Sequence, residues 1–343
     1  MDERKQKVLQ AIVLDYIATA EPVGSRTISR KYDIAFSPAT IRNEMADLED
    51  LGYIEQPHTS AGRIPSNQGY RYYVDCLMEK DVLLEEEVHL IKEHFNLKID
   101  EVSVLLKHTS KLLSQLTNYT ALVTLPELKR GFLSNLQLVS LSPGKALLVI
   151  VTDTGFIEHK TFDLPEQLSS QTLAQISSIL TEKLRGQTII AVKATIMREI
   201  YIELARQKRS LDRVINVINE IMSAPEKEGV LLGGALNILN QPEYRDFSKA
   251  QDILDLLDND EVVKEVLMET RHEGINIRIG QEVRLHNISD LSIVTATYSI
   301  DGEAVGTIGL LGPTRMSYSR ASALIECISE NISNVLSLYS HKR

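Results

Sequence analysis

The apolar pattern at the start of the chain predicts two helices. Between residues 3 and 19, apolar side chains recur at helical spacing, which is typical of an amphipathic helix with one buried stripe. The Glu-Pro-Val-Gly run at 21–24 interrupts this pattern. We expect Ser25 to cap a short second helix over residues 26–31, which would bury Ile28.

A third helix is predicted to begin at Ser37-Pro38, because serine is a favoured N-cap and proline a favoured first helical residue. It should end at Gly52. Its apolar positions, expected to be buried, are Ile41, Met45, Leu48 and Leu51. The opposite face of its first turns carries Ala39, Thr40, Arg42 and Asn43. These short or hydrogen-bonding side chains suit the reading of base edges in a major groove.

A β-hairpin is predicted directly after this helix, with strands at 53–55 and 64–65 and a tip between them. Residues 56–74 contain Arg63 and Arg71 and no acidic side chain, although the whole chain carries a net charge of −10. Three helices followed by a basic hairpin indicate a winged helix-turn-helix. The third helix would enter the major groove, and the hairpin would contact the DNA backbone or minor groove.

Winged helices also serve as protein-binding modules, so the pattern by itself favours DNA binding without excluding that alternative. The side chains expected to contact DNA are Ser25, Arg26, Thr27, Ser37, Ala39, Thr40, Arg42, Asn43, His58, Thr59, Ser60, Arg63 and Arg71.

Helical periodicity continues from residue 83 to 116, with a predicted break at 96–100. A coiled-coil seam between two chains is one interpretation of the alternating steps of three and four. The interruptions at Lys98 and Thr109 favour the other interpretation, in which these helices pack on a sheet.

The middle of the chain is predicted to form an inserted unit over residues 134–225. A strand at 120–125 precedes it, and short turns join the strand-like runs inside it into an antiparallel meander. These runs and the helices that follow lie at 136–141, 146–151, 156–162, 166–184 and 211–223.

The last third of the chain alternates strands and helices in a way that favours an α+β domain. Strands are predicted at 230–239, 275–279, 292–298 and 304–311, and helices at 249–257, 261–269 and 316–338.

Several motifs suggest chemistry without completing a site. The Asp-Thr-Gly at 153–155 occurs once and is favoured turn chemistry, so an aspartic-protease pair is not indicated. Gly306, Gly309 and Gly312 lack the lysine and spacing of a phosphate loop, which favours close packing in a strand. Gly233 and Gly234 could line a ligand pocket, but a role in close packing is favoured there too. We therefore expect neither an enzyme nor a bound cofactor or metal.

Composition adds a few limits. The 343 residues include 43% hydrophobic and 24% charged side chains, which is ordinary for a globular protein of two or three domains. Cys76 and Cys327 fit no metal or redox spacing and indicate free thiols in a cytoplasmic protein. No apolar run is long enough to cross a bilayer, so no membrane partner is expected.

Two segments resemble a known family. They are VGSRTISRKYDIAFSPATIRNEMADLEDLGYIEQPHTSAGRIPSNQGYRYYVD at 23–75 and VGTIGLLGPTRMSYSRA at 305–321. Both are similar to signatures of the bacterial heat-inducible transcription repressors HrcA, and they bracket most of the chain. The resemblance implies a homodimer that binds double-stranded DNA at an inverted-repeat operator, the CIRCE element, upstream of chaperone operons. It also implies that a GroEL-type chaperonin keeps the repressor active.

The resemblance further implies a GAF-like α+β domain interrupted by a dimerising insert. The expected divisions are a winged helix at 1–75, a first GAF-like part at 76–133, the insert at 134–225 and a second GAF-like part at 226–343. The alternative is a regulator whose GAF-like pocket binds a small molecule and shifts DNA affinity allosterically.

Overall fold

The structure is a computed structural model. The structure describes residues 1–32, 36–58, 61–95, 102–126, 132–142, 144–152, 157–163, 170–187, 230–268, 274–285 and 288–341. The predicted helix at 211–223, the Asp-Thr-Gly turn and two predicted DNA contacts, Thr59 and Ser60, lie outside the described residues.

Three N-terminal helices pack around one small core. They are α1 (Glu3–Thr19), α2 (Ser25–Lys31) and α3 (Pro38–Asp50). The stripe predicted for α1 is buried, with Leu9 and Ile12 fully inaccessible. The prediction for the end of α3 was wrong in one detail, because Leu51 follows the last helical residue and its side chain is 52% exposed.

The predicted hairpin is present as β1 (Ile54–Glu55) and β2 (Ile64–Pro65), which pair antiparallel. Val23 lies beside this hairpin and forms an antiparallel bridge with Arg63. The two backbone hydrogen bonds of this bridge are both 2.8 Å long. The chain then forms α4 (Asn67–Tyr72), which continues into a π-helical turn over Tyr73–Leu77. Three helices followed by this hairpin form a winged helix-turn-helix.

The body of the protein is a five-stranded antiparallel sheet with helices on both faces. Its strands, in spatial order, are β7 (Val230–Gly233), β3 (Thr120–Thr124), β10 (Glu303–Pro313), β9 (Leu291–Ile300) and β8 (Ile275–Ile279). The helices are α5 (Glu85–Phe95), α6 (Val102–Thr117), α8 (Phe247–Asp258), α9 (Asp260–Met268) and α10 (Tyr318–His341).

Alternate side chains of the strands serve two separate cores. On one face, Val294 and Leu310 pack in the core that contains α6 and α10. On the other face, Ile293 and Leu311 pack in the core that contains α8 and α9. The prediction of helices that pack on a sheet is confirmed for α6, whose Leu105, Leu106 and Leu113 are buried in the body, whereas α5 packs against α10.

A separate three-stranded meander follows β3 along the chain. It consists of β4 (Leu133–Ser142), β5 (Lys145–Thr152), β6 (Ile157–Asp163) and the helix α7 (Ser170–Leu184). Side chains of α7 bond to β4, with Ser177 Oγ accepting from Leu138 N at 2.8 Å and Thr181 Oγ1 donating to Leu136 O at 2.7 Å. Because β3 pairs directly with β7, the five-stranded sheet closes across the meander that interrupts it in sequence.

The glycines singled out in the sequence serve packing. The predicted strand at 230–239 ends at Gly233, since Gly234 has φ +60° and a 3₁₀ turn occupies Ile238–Asn240. A Cβ on Gly233 would lie 2.1 Å from Ser110 O, and one on Gly309 would lie 2.6 Å from Leu267 Cδ2. These close approaches leave no room for a ligand at either glycine.

Candidate nucleic-acid interface

The start of α3 is fixed by its cap. Ser37 Oγ accepts a hydrogen bond from Thr40 N at 3.1 Å, and Pro38 is the first helical residue, as the sequence predicted. Ser37 Oγ also lies 3.0 Å from Thr40 Oγ1, so the hydroxyl of Thr40 is engaged at the cap. Both polar side chains therefore order the N-terminal turn of α3.

The buried face of α3 decides which side chains point outward. Ile41 and Leu48 are fully buried and Met45 is 6% exposed, so these residues anchor the helix in the core. Three of the predicted DNA contacts on the other face are exposed, namely Ala39, Arg42 and Asn43. The helix thus presents a cation and an amide beside a small side chain, the combination that can bond to guanine and adenine edges.

The second helix differs from the prediction at its first residue. Gly24, rather than Ser25, is the N-cap, and no side chain caps α2. Ser25 is itself the first helical residue and is buried, because the chain turns inward after the bridge at Val23. Arg26 and Thr27, the next two residues, are exposed as predicted contacts should be.

The wing is held against α3 by an ion pair. Arg63 Nε donates to Glu49 Oε2 at 2.9 Å, and Arg63 Nη2 lies 2.8 Å from the same oxygen. At the tip, Gln56 Nε2 donates to Ala61 O at 3.1 Å. His58 is exposed near this end. The hairpin therefore projects from α3 in a defined orientation.

These elements enclose one open cleft of about 400 Å³. Three cations line it, and each comes from a different element: Arg26 from α2, Arg42 from α3 and Arg63 from the wing. The remaining lining residues are Val23, Gly24, Ser25, Met45, Ala61 and Gly62. Three arginines lining an open, polar cleft suit contact with phosphate or with a guanine edge.

Arg71 does not join this cleft. Its guanidinium donates four hydrogen bonds, of which two go to Glu282, one to Asp75 and one to Ile277 O. Two of these partners belong to the body, so the structure places Arg71 at the junction between the winged helix and the body. The local basic excess at residues 56–74, which suggested two DNA contacts, therefore divides between two different surfaces.

Sequence reasoning missed two residues that shape the cleft. Glu49, which orients Arg63, lies seven residues after Arg42 and so falls on a neighbouring part of the same helix face. Gly62 permits the chain crossing at the bridge, because a Cβ there would lie 2.5 Å from Val23 O. A glycine beside a basic residue in a short hairpin was the available signal for this crossing.

No helix in the described ranges is long and apolar enough to cross a membrane. Among the same residues, no group of three or more His, Cys, Asp or Glu side chains is arranged to hold a metal ion. Cys76 and Cys327 are both free thiols, as the sequence predicted.

Comparisons with known proteins agree with the sequence signatures. The family model for the HrcA protein C-terminal domain matches residues 103–321. The heat-inducible transcription repressor HrcA of Desulforamulus reducens is 48% identical over 337 residues, covering 98% of this chain and 97% of the relative. The repressor of the same name from Pelotomaculum thermopropionicum is 46% identical over 337 residues, with the same coverage.

A solved structure shares the whole fold. The crystal structure of a hypothetical protein at 2.2 Å resolution matches with a TM-score of 0.70 and 26% identity, covering 99% of both chains. The family match spans most of the body, and the relatives match from the winged helix to the last helix. This chain belongs to the HrcA family of heat-inducible transcription repressors.

Proposed function

We propose that this protein is a homodimeric repressor that binds an inverted-repeat operator of the CIRCE type and blocks transcription of chaperone operons. The observation that carries the proposal is the cleft in which Arg26, Arg42 and Arg63 converge from three elements. Such convergence provides cations for the DNA backbone at the place where α3 exposes side chains suited to base edges. The names of the relatives, all transcription repressors, support the same activity.

In this proposal the contacts divide by role. The exposed face of α3 enters the major groove, where Arg42 donates to a guanine edge and Asn43 bonds to an adjacent base. Arg26 and Thr27 at the start of α2, and Arg63 with His58 in the wing, contact the backbone or the minor groove. Thr59 and Ser60 belong to the same wing, and Ser37, Ala39 and Thr40 form the turn of α3 that approaches the bases.

A two-fold symmetric protein matches an inverted repeat, and a single winged helix reads too few base pairs for operator-level specificity. We assign the winged helix to residues 1–75, the GAF-like domain to 76–133 with 226–343, and the dimerising insert to 134–225. The direct pairing of β3 with β7 supports an insertion between these two strands, because the five-stranded sheet is complete without the meander.

The control by heat follows from competition for a chaperonin. A repressor that needs a GroEL-type chaperonin to stay folded loses its active population when heat-damaged proteins occupy that chaperonin. Loss of active repressor then releases the chaperone operons. The family resemblance supports this partner, and no cofactor is needed for the switch.

The small-molecule alternative requires a pocket in the GAF-like domain with different contacts in two states. The region between the sheet and the α8–α9 pair is filled by Ile253, Leu257, Val263 and Leu267. Gly233 and Gly309, where a pocket would need space, are in close contact with neighbouring groups. These observations give no support to a ligand pocket at these positions of the GAF-like domain.

The proposal is tested by operator binding across a temperature ramp, with and without purified chaperonin. The full chain should bind an operator duplex with both half-sites far more tightly than a duplex with one. After heating it should lose this binding, and chaperonin should restore the binding without a metabolite. A sample that binds reversibly throughout and responds only to a small molecule would replace this model with the sensor.

A further inference from the structure

The winged helix and the body share one continuous hydrophobic core. Its buried residues run from Val8 and Ile12 in α1 to Ile325 in α10. At the junction, the ring of Tyr70 in α4 meets the ring of Tyr318 in α10 edge to face, with centroids 6.0 Å apart and planes at 65°. Both rings are almost fully buried, so the winged helix packs on the body through a defined interface.

Arg71, in the winged helix, forms hydrogen bonds across this interface to the body. It contacts both carboxylate oxygens of Glu282, from Nε at 3.0 Å and from Nη2 at 2.5 Å, and Nη2 also donates to Ile277 O at 2.6 Å. A bidentate pair of this kind fixes orientation as well as distance. Glu282 is itself held in place, since its Oε2 accepts a hydrogen bond from Ile279 N at 2.9 Å.

Arg315, in the body, forms a hydrogen bond across the same interface to the winged helix. Its side chain is mostly buried, and it donates to Ile17 O near the end of α1 at 3.3 Å. Gln241 and Glu243 hold the rest of its guanidinium, with 2.9 Å from Nη2 to Gln241 Oε1. A cation at the carboxyl end of α1 is favoured by the helix dipole. The two arginines therefore tie the winged helix to the body at separate points.

We propose that Arg71, through its pair with Glu282, is a positioning residue that fixes the orientation of α3 relative to the body and so sets the operator half-site spacing that the dimer accepts. The inference rests on the proposed binding of a dimer to an inverted repeat. In such a dimer the two α3 helices are separated by a distance that the bodies determine. A winged helix that can rotate on its body accepts several spacings, whereas a clamped one accepts few.

This role differs from a phosphate contact in what it changes. A phosphate contact contributes to every DNA complex, including a single half-site, and to the salt dependence of binding. A positioning residue leaves half-site binding intact and affects only the comparison between operators with different spacers. Arg71 would have to give up its bonds to Glu282 and Ile277 in order to reach DNA.

The test uses the full chain and duplexes carrying the inverted repeat of a chaperone operon. The spacer between half-sites is native or about 5 base pairs longer, which moves one half-site to the opposite side of the double helix. A duplex with one half-site and a scrambled duplex complete the set. Arg71→Gln is compared with the wild type, and Asp75→Asn is the matched control, because it removes only the charge of the Arg71 partner that lies within the winged helix.

For Arg71→Gln, we expect unchanged half-site affinity and a ratio of native to lengthened operator affinity that falls towards one. Asp75→Asn should keep the wild-type ratio. Glu282→Gln removes the charge of the partner in the body and should lower the ratio in the same direction. Thermal unfolding of each variant identifies any that fail to fold, and the Glu282→Gln variant then supplies the comparison.

Three results would overturn the inference: an Arg71→Gln variant that keeps the wild-type ratio, one whose half-site binding weakens with a smaller salt dependence, or a folded Glu282→Gln variant that keeps the wild-type ratio. A wild-type protein that binds scrambled DNA as tightly as the inverted repeat would instead contradict the proposed function. The failure of either proposal can thus be recognised separately.

Discussion

Arg63 of the wing and Glu49 of α3 share one close contact, in which Nε and Nη2 of the arginine lie 2.9 Å and 2.8 Å from the same carboxylate oxygen. The pair joins the hairpin to α3, so in the proposed complex the wing and α3 approach DNA as one unit. About a fifth of the Arg63 side chain is exposed, on the side that lines the cleft. The carboxylate therefore positions a cation that remains accessible to DNA.

Arg63→Gln should weaken binding to every DNA sequence, because a backbone contact carries no sequence information. The slope of log affinity against log salt should become shallower by about one unit, as one phosphate contact is lost. The measurement is a salt titration on operator and scrambled duplexes. Glu49→Gln is the matched control, since it leaves the cation in place and should not reduce the slope. An unchanged slope for Arg63→Gln would remove the wing from the proposed interface.

Gly62→Ala should disturb the wing through the backbone. The added Cβ would lie 2.5 Å from Val23 O and 2.7 Å from Pro22 O, and neither atom can move without opening the Val23–Arg63 bridge. We expect a loss of about 1–3 kcal/mol in the free energy of unfolding, as for other overpacked sites, together with weaker operator binding.

Chemical denaturation measures this loss, and Gly24→Ala is the comparison because its added methyl has its nearest neighbour, Thr27 Oγ1, at 3.9 Å. That variant should lose no more than the roughly 1 kcal/mol expected from a poorer N-cap residue. Equal stability of the Gly62→Ala variant and the wild type would mean that the crossing at Val23 is looser than the structure has it.

The sequence predicted those parts of the fold that local pattern determines. The helix at residues 3–19 and the Ser37-Pro38 start of α3 follow from periodicity and capping, and both are confirmed. The strand expected to reach residue 239 ends at Gly233, because the turn at Gly234 packs closely against Ser114 of α6. Local sequence patterns cannot predict a contact between residues so far apart along the chain.

The candidate site could be predicted from the sequence to a similar extent. The exposed face of α3 follows from the spacing of its buried residues, so Arg42 and Asn43 could be identified from the sequence. The role of Arg71 could not, since its partner Glu282 is 211 positions away along the chain. A basic residue within a basic segment indicates a surface charge, but only the fold shows which acid lies beside it.

The central claim, that the exposed face of α3 reads the operator, is tested most directly by the affinity of Arg42→Ala for operator and scrambled duplexes at one salt concentration. Arg42 is exposed at the start of α3 and lines the cleft with Arg26. If Arg42 makes a bidentate base contact, the variant should lose about 1–3 kcal/mol of operator binding and much less on scrambled DNA. Arg26→Ala, as a backbone contact, should lose the same amount on both duplexes. Arg42→Ala binding that equals the wild type on the operator, or that falls equally on both duplexes, would contradict the claim.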